Sequence, residues 1–181
     1  MGRLTGKDPL GATPIGNASG LKPEYIITRK ELYELEFANI NDATVYLFSK
    51  KTSIEKLFNY NFLLDIHKRM LKDVWIWAGT LRKSNLNIGT EWHQIQIKLT
   101  ETIKDILFQD KELAPITVSA AIHHKLVAIH PFANGNGRWA RMVANLYLKT
   151  KINKIINWPN DELYIDSKFR SNYILALKEA D

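Results

Sequence analysis

The sequence predicts a mostly α-helical domain that also contains one short hairpin or extended loop. Apolar residues recur at helical spacing in most of the 181-residue chain, and residues 80–92 replace that period with polar turn residues. The apolar content of 45% is ordinary for a globular chain, and the length is enough to bury a core. We therefore expect one domain over residues 28–181, preceded by an irregular arm over residues 1–27, where Gly and Pro are frequent.

The N-terminal half of the chain predicts two helices. Thr28 and Glu31 form the capping-box pattern that satisfies free N–H groups at the start of a helix. Apolar residues at helical spacing continue this first helix to about Phe48. A second apolar stripe predicts a helix that Gly79 ends as its C-terminal cap, and it consists of Phe62, Ile66, Met70, Val74 and Trp77.

The C-terminal half predicts four further helices. Two of them follow from apolar spacing between Leu99 and Leu107 and between Val118 and Ile129. The next has the clearest pattern, because its apolar residues fall on one helical face: Trp139, Met142, Val143, Leu146 and Tyr147. Pro159 then interrupts the chain, and a last helix is predicted by the spacing of Phe169, Tyr173 and Leu177.

Composition excludes several kinds of chemistry. The chain has no cysteine, so disulfides, thiolate metal sites and cysteine nucleophiles are absent.

We see neither a secretion signal nor a membrane span, and therefore expect a cytoplasmic protein with no membrane partner. The net charge of +6 comes from dispersed lysines, which does not separate a solvated surface from an acidic or nucleic-acid partner. His123, His124 and His130 lack a neighbouring carboxylate and a known ligand spacing, so zinc is not favoured.

The segment HPFANGNGRWAR, residues 130–141, joins two predicted helices and carries the residues of a candidate anion site. Gly135, Asn136 and Gly137 come directly before the second helix, whose free N–H groups and dipole favour an anion. Arg138 and Arg141 are three residues apart and should share a helical face, so this pattern favours a polyphosphate. A neutral imidazole at position 130 could take a proton from an attacking hydroxyl, which indicates phosphoryl or nucleotidyl transfer.

This segment resembles the signature of the Fic (filamentation) family, H-P-F-x-D/E-G-N-G-R-x-x-R, and departs from it at Asn134. The resemblance extends to DVWIWAGTLR, NLNIG and HHKLVAIHPF, and it covers roughly residues 62–149. GATP and TRKELYELEFANI are further similar to a bacterial subgroup called mobile mystery protein B. The resemblance implies a Fic-type helical bundle with a short β-hairpin flap beside the active-site loop.

The family resemblance also implies an activity and a role for each residue that matches the signature. Most members transfer AMP from ATP to a Ser, Thr or Tyr hydroxyl of a target protein. By resemblance, His130 is the base, and backbone N–H groups of residues 135–137 hold the α- and β-phosphates. Arg138 then pairs with the β-phosphate, Arg141 reaches the γ-phosphate, and Phe132 anchors the loop. The flap (residues 82–91) aligns the target backbone by strand pairing, through Arg82, Asn85, Asn87, Ile88 and Gly89.

Asn134 stands where the family has the carboxylate that ligates Mg²⁺. An amide oxygen can ligate this metal but brings no negative charge. Three interpretations therefore stay open: weak Mg²⁺ binding at Asn134, low or metal-independent transfer, or nucleotide binding without transfer. The last one would make the chain a regulatory nucleotide- or phosphate-binding module.

Glu36 is a candidate for internal inhibition. Many relatives are restrained by a helix with the motif S/T-x-x-x-E-G/N, whose glutamate pairs with the last arginine of the signature. Glu36 lies on the apolar face of the first helix, where a carboxylate needs a basic partner, and Arg141 is the predicted one. Leu32 and Phe37 replace the other motif residues, so a bond from Glu36 to some other buried group is the alternative.

Other partners and other transfers remain as alternatives. Some relatives transfer a phosphoryl or phosphocholine group, although the GNGR sequence here disfavours the kinase-like variant. An antitoxin or a second copy of the chain is a possible partner besides the target protein. A nucleic-acid adaptor is the less favoured hypothesis, since it would need salt-dependent DNA binding.

Overall fold

The computed structural model describes residues 19–159 and 167–180 of the chain. Within these residues the chain forms seven α-helices and one short 3-10 turn, Trp92–Gln94. The helices are α1 (Arg29–Ser49), α2 (Ile54–Leu57), α3 (Tyr60–Leu71), α4 (Ile95–Glu112), α5 (Pro115–Ile129), α6 (Asn136–Ile152) and α7 (Lys168–Glu179). The mostly helical fold class is therefore confirmed. None of the helices in the described ranges is long and apolar enough to cross a membrane.

The capping box predicted for α1 is confirmed. The Thr28 hydroxyl accepts a hydrogen bond from the Glu31 N–H at 3.2 Å, and the Glu31 carboxylate accepts one from the Thr28 N–H at 2.9 Å. These bonds satisfy backbone donors that have no partner inside the helix. α1 ends at Ser49, close to the predicted end at Phe48.

The second predicted helix is shorter than its apolar stripe. α3 ends at Leu71, and the chain then turns, so that Trp75 lies outside the helix. The arm that precedes α1 supplies the reason: the Ile76 N–H donates to the Gly20 carbonyl at 2.8 Å, and Leu21 forms an isolated antiparallel bridge with Trp75. The predicted end at Gly79 was therefore wrong. Val74 lies in the turn and is fully buried, so its apolar side chain extends the stripe beyond the end of the helix.

The described part of the predicted arm, residues 19–27, contains no helix, and residues 1–18 lie outside the described ranges. Leu21 and Ile26 are nevertheless buried against the helices. The division of the chain into an arm and one domain stays a prediction.

The flap is an extended loop and not the hairpin that was one of its two predicted forms. The backbone N–H groups at its two ends bond to the end of α5 and the loop that follows it: the Arg82 N–H donates to the Pro131 carbonyl at 3.0 Å, and the Thr90 N–H donates to the Ile129 carbonyl at 3.1 Å. Leu81 forms an isolated antiparallel bridge with Phe132. Backbone groups that pair elsewhere cannot also form a hairpin ladder.

α5 and α6 pack against each other and form the centre of the core. Their facing side chains, including Ile122, Leu126 and Val143, have no exposed surface. Trp139 on α6 is also fully buried, and its indole N–H donates to the Leu63 carbonyl of α3 at 2.9 Å. This packing holds the loop between α5 and α6 on a rigid base, with α3 beneath it.

Candidate active site

The loop between α5 and α6, residues 130–135, has two left-handed residues at its ends. His130 ends α5 with φ 52°, and Gly135 begins α6 with φ 78°. Between them, the Asn136 side chain accepts from the Phe132 N–H at 2.8 Å and donates to the Phe132 carbonyl at 2.9 Å. Phe132 itself is fully buried. The Asn136 amide thus fixes the conformation of the loop. The loop ends at the N-terminus of α6, where free backbone N–H groups favour an anion.

His130 has the protonation state that a general base needs. Its Nδ1 lies 3.2 Å from the Val127 carbonyl, so Nδ1 carries the proton and Nε2 is the basic nitrogen. Burial and the nearby charge of Arg82 lower the pKa of His130 to about 4, so the ring is neutral at pH 7.

Arg82 and Gly89 hold the flap against His130. The Arg82 guanidinium donates from Nε to the His130 carbonyl at 2.7 Å and also bonds to the carbonyls of Ser84 and Thr90. A Cβ atom on Gly89 would lie 2.5 Å from the His130 Cβ, and its φ of 96° also favours glycine. Only a glycine therefore permits this close approach of the flap.

Of the other predicted flap residues, Asn85 forms hydrogen bonds within this region, whereas Asn87 and Ile88 are exposed at its tip. Asn85 accepts from the Trp92 N–H at 2.9 Å and also bonds to Glu91, so it shapes the flap internally. Asn87 and Ile88 are exposed beside the site. Their side chains are accessible to a second molecule.

Among the described residues, the two signature arginines contact different partners. Arg138 bonds to Glu36 and, through Nη2, to the Asn134 side-chain oxygen at 3.2 Å. The Arg141 guanidinium lies 5.9 Å from the ring centroid of Tyr173, and its Nη1 lies 3.5 Å from the Tyr173 hydroxyl. Three residues turn a helix by about 300°, so the two side chains leave α6 in directions about 60° apart. They therefore reach different neighbouring helices.

The prediction that Glu36 pairs with Arg141 was therefore wrong. The Glu36 carboxylate is fully buried and accepts from Arg138 Nη1 at 2.5 Å and from the Trp75 indole N–H at 2.7 Å. The alternative, a bond from Glu36 to other buried groups, describes the Trp75 contact. A basic partner is present, but it is the first arginine of the signature and not the last.

Asn134 does not offer the metal ligand that the family signature supplies. Its side-chain oxygen accepts from the Gly135 N–H at 2.5 Å and also from the cationic Arg138. The described residues hold no group of three or more His, Cys, Asp or Glu side chains that could bind a metal ion. One neutral oxygen already engaged by a cation does not fit Mg²⁺, which prefers charged oxygen ligands.

Sequence reasoning missed two contributors to the site. His67 on α3 contacts the carbonyl of Asn134 from below, at 3.0 Å. Tyr173 on α7 contacts Arg141 and lies 2.9 Å from Nε2 of His123, which is a packed histidine here. Both residues are far from the signature in sequence, so no local pattern could indicate their contacts.

The chain is similar to known proteins in sequence and in fold. The sequence pattern of the Fic/DOC family matches residues 57–148. The protein adenylyltransferase fic-1 of Caenorhabditis elegans is 34% identical over 92 residues, which cover 48% of this chain and 18% of that protein. The protein adenylyltransferase Fic of Drosophila mojavensis is 48% identical over 102 residues, or 52% of this chain and 20% of that protein. The chain thus spans about a fifth of these curated relatives.

Solved structures share the fold at low sequence identity. The N-terminal Fic domain of a cell filamentation protein from Bartonella quintana has a TM-score of 0.69 and 20% identity, covering 91% of this chain and 84% of its own. BepC from Bartonella tribocorum, solved with bound AMPPNP, has a TM-score of 0.60 and 20% identity, covering 78% of each chain. With the family pattern spanning half of the sequence and the fold shared along most of it, the chain belongs to the Fic/DOC family.

Proposed function

We propose that this chain is a nucleotidyltransferase that moves AMP from ATP to a hydroxyl group of a target protein. The observation that carries the proposal is a neutral His130 with a basic Nε2, fixed at one end of a loop whose other end is a helix N-terminus. That arrangement supplies a base and an anion site within one short loop. The names of the relatives, protein adenylyltransferases, support the same chemistry.

The proposed reaction uses groups of this chain at each proton and charge movement. Nε2 of His130 takes the proton of a Ser, Thr or Tyr hydroxyl, and the hydroxyl oxygen attacks the α-phosphorus of ATP. The new P–O bond forms as the bond from the α-phosphorus to the bridging oxygen breaks, and pyrophosphate leaves. N–H groups of residues 135–137 and the guanidiniums of Arg138 and Arg141 stabilise the charge on the phosphates.

The flap supports a protein target. Asn87 and Ile88 are exposed while Arg82 and Gly89 hold the flap beside His130. An extended target segment that aligned with this tip would bring its hydroxyl next to the base. An antitoxin or a second copy of the chain remains a further candidate partner.

The proposal includes a restraint by Glu36. Arg138 cannot give its full charge to a β-phosphate while Glu36 holds it through Nη1 at 2.5 Å and Nη2 at 3.3 Å. Removal of this carboxylate should therefore raise transfer. The support is the ion pair itself, because breaking a buried ion pair leaves an uncompensated charge in the protein interior.

The second candidate function is nucleotide binding without transfer. Asn134 favours it, because its amide oxygen bonds to Arg138 and the Gly135 N–H instead of offering a charged ligand to a metal. Such a module would still bind the phosphates of a nucleotide but would not transfer AMP at a measurable rate. Asn134→Asp restores the family carboxylate and distinguishes the two functions.

ATP labelled at the α-phosphate tests the proposal, given to wild type, Glu36→Gly, Asn134→Asp and His130→Ala with cell extract, with and without Mg²⁺. We expect label in protein with wild type or, more strongly, with Glu36→Gly, and none with His130→Ala. Label from Asn134→Asp alone would favour the binding module. Equal label from wild type and His130→Ala would overturn the role of the base.

A further inference from the structure

His67 lies on α3 directly below the loop and has no exposed surface. Its ring stacks on the buried Phe132 ring with a centroid distance of 3.6 Å and an interplanar angle of 7°. The two ring nitrogens reach two different backbone segments: Nδ1 lies 2.9 Å from the Gly79 nitrogen, and Nε2 lies 3.0 Å from the Asn134 oxygen. His67 therefore links the turn after α3 to the start of the anion site.

These two bonds define one tautomer. The Gly79 N–H can only donate, so Nδ1 of His67 accepts and carries no proton. Nε2 then carries the ring proton and donates it to the Asn134 carbonyl. Burial, more than the nearby Arg138 charge, lowers the pKa of His67 to about 3, so this neutral form persists at any physiological pH.

The bond to the Asn134 carbonyl determines where the next N–H points. In a trans peptide the C=O and the following N–H point in opposite directions. The Asn134 carbonyl points toward His67, so the Gly135 N–H points away from His67 and donates to the Asn134 side-chain oxygen, which also accepts from Arg138. A flipped peptide would place a carbonyl oxygen on the side that has to accept a phosphate.

We infer that His67 is a positioning residue for the phosphate site, because it holds the Asn134–Gly135 peptide with its N–H toward the bound nucleotide. This inference rests on the proposed function only for the identity of the anion. The space around Gly135 agrees, since a Cβ atom there would lie 2.7 Å from Leu71 and 3.2 Å from Nε2 of His67. The peptide is thus packed onto α3 without room for a side chain.

Two substitutions separate the hydrogen bonds from the packing. His67→Phe keeps an aromatic ring on Phe132 but loses both bonds, whereas His67→Gln keeps one acceptor and one donor. We expect His67→Phe to weaken ADP binding about tenfold by calorimetry, and His67→Gln to stay within about threefold of wild type. A purely structural role would instead weaken both in step with their unfolding midpoints. Equal ADP affinity of folded His67→Phe and wild type would overturn the inference.

The tautomer gives a readout that needs neither a variant nor a nucleotide. Nitrogen NMR of the wild-type chain should show His67 protonated at Nε2 only, with coupling across the hydrogen bond to the Asn134 carbonyl. A proton on Nδ1 would overturn the inference even if ADP binds. If wild type binds no ADP, the proposed function fails, while this spectrum and the Gly135 amide shift in His67→Phe still decide the positioning role.

Discussion

Glu36 combines a buried ion pair with the restraint that we propose for this site. Its two carboxylate oxygens bond to the Trp75 indole and to Arg138, and it has no exposed surface. A buried charge of this kind is costly unless it is paired, and its removal leaves a cation and an N–H without their partner. The apolar spacing of α1 revealed that a buried carboxylate needs a basic partner. Which arginine it meets depends on the rotation of α6, which sequence spacing does not report.

We predict that Glu36→Gln lowers the free energy of unfolding by about 3 kcal/mol, because a neutral amide keeps the Trp75 bond but not the ion pair with Arg138. ADP affinity should rise at the same time, since Arg138 becomes available to a phosphate. Urea unfolding and calorimetry measure the two effects. Glu34→Gln is the matched control on the same helix, with a side chain that is 66% exposed. Lower stability with unchanged ADP affinity would contradict the restraint.

Helices were predictable from sequence wherever their own residues determine them. α1 has its capping box, and α6 has an apolar stripe that the buried residues Trp139, Val143 and Tyr147 confirm. The end of α3 depends instead on arm residues such as Gly20, which are more than fifty positions from the Ile76 N–H that they bind. The flap likewise pairs with the end of α5. Non-local backbone pairing of this kind leaves no periodic trace in either segment.

α7 presents the same limitation at the active site. Its spacing predicts a helix, but none of its residues is buried, and Tyr173 contacts the rest of the domain through its hydroxyl and its ring. That hydroxyl bonds to His123 and contacts Arg141, the residue expected to reach the γ-phosphate. The candidate residues of the signature were therefore predictable, while the partners that occupy their side chains were not.

Tyr173→Phe should loosen α7 without unfolding the domain. Loss of the hydroxyl bonds costs about 1 kcal/mol, or about a fivefold increase in local opening. Hydrogen exchange of the amides of residues 168–179 measures it, with the exposed Leu175→Ala on the same helix as the control. Equal exchange rates in Tyr173→Phe and wild type would show that other contacts hold the helix.

The molecule carries three buried neutral histidines: His67 and His130 at the loop between α5 and α6, and His123 beside Tyr173. Burial lowers the pKa of His67 to about 3 and those of His123 and His130 to about 4, well below the usual value of about 6.5. Between about pH 6.5 and pH 4, these histidines therefore bind protons in the unfolded chain but not in the folded chain. Their contribution is complete above about pH 6.5 and is lost as the pH falls toward 4.

We predict that the free energy of unfolding decreases steadily between pH 6.5 and pH 5, measured by urea unfolding at a constant salt concentration. Carboxylates with lowered pKa values contribute mainly below this window. His67→Gln should flatten the slope, whereas the exposed His93→Gln should keep it. A stability that does not change between pH 6.5 and pH 5 would contradict the neutral state of these histidines.

We propose that this site transfers the AMP moiety of ATP, with His130 as the general base. The most direct measurement compares ATP labelled at the α-phosphate with ATP labelled at the γ-phosphate, given to Glu36→Gly and to the Glu36→Gly, His130→Ala double variant. We expect that Glu36→Gly incorporates the α-label into protein but not the γ-label, and that the double variant incorporates neither. Entry of γ-label, or α-label that persists without His130, would contradict it.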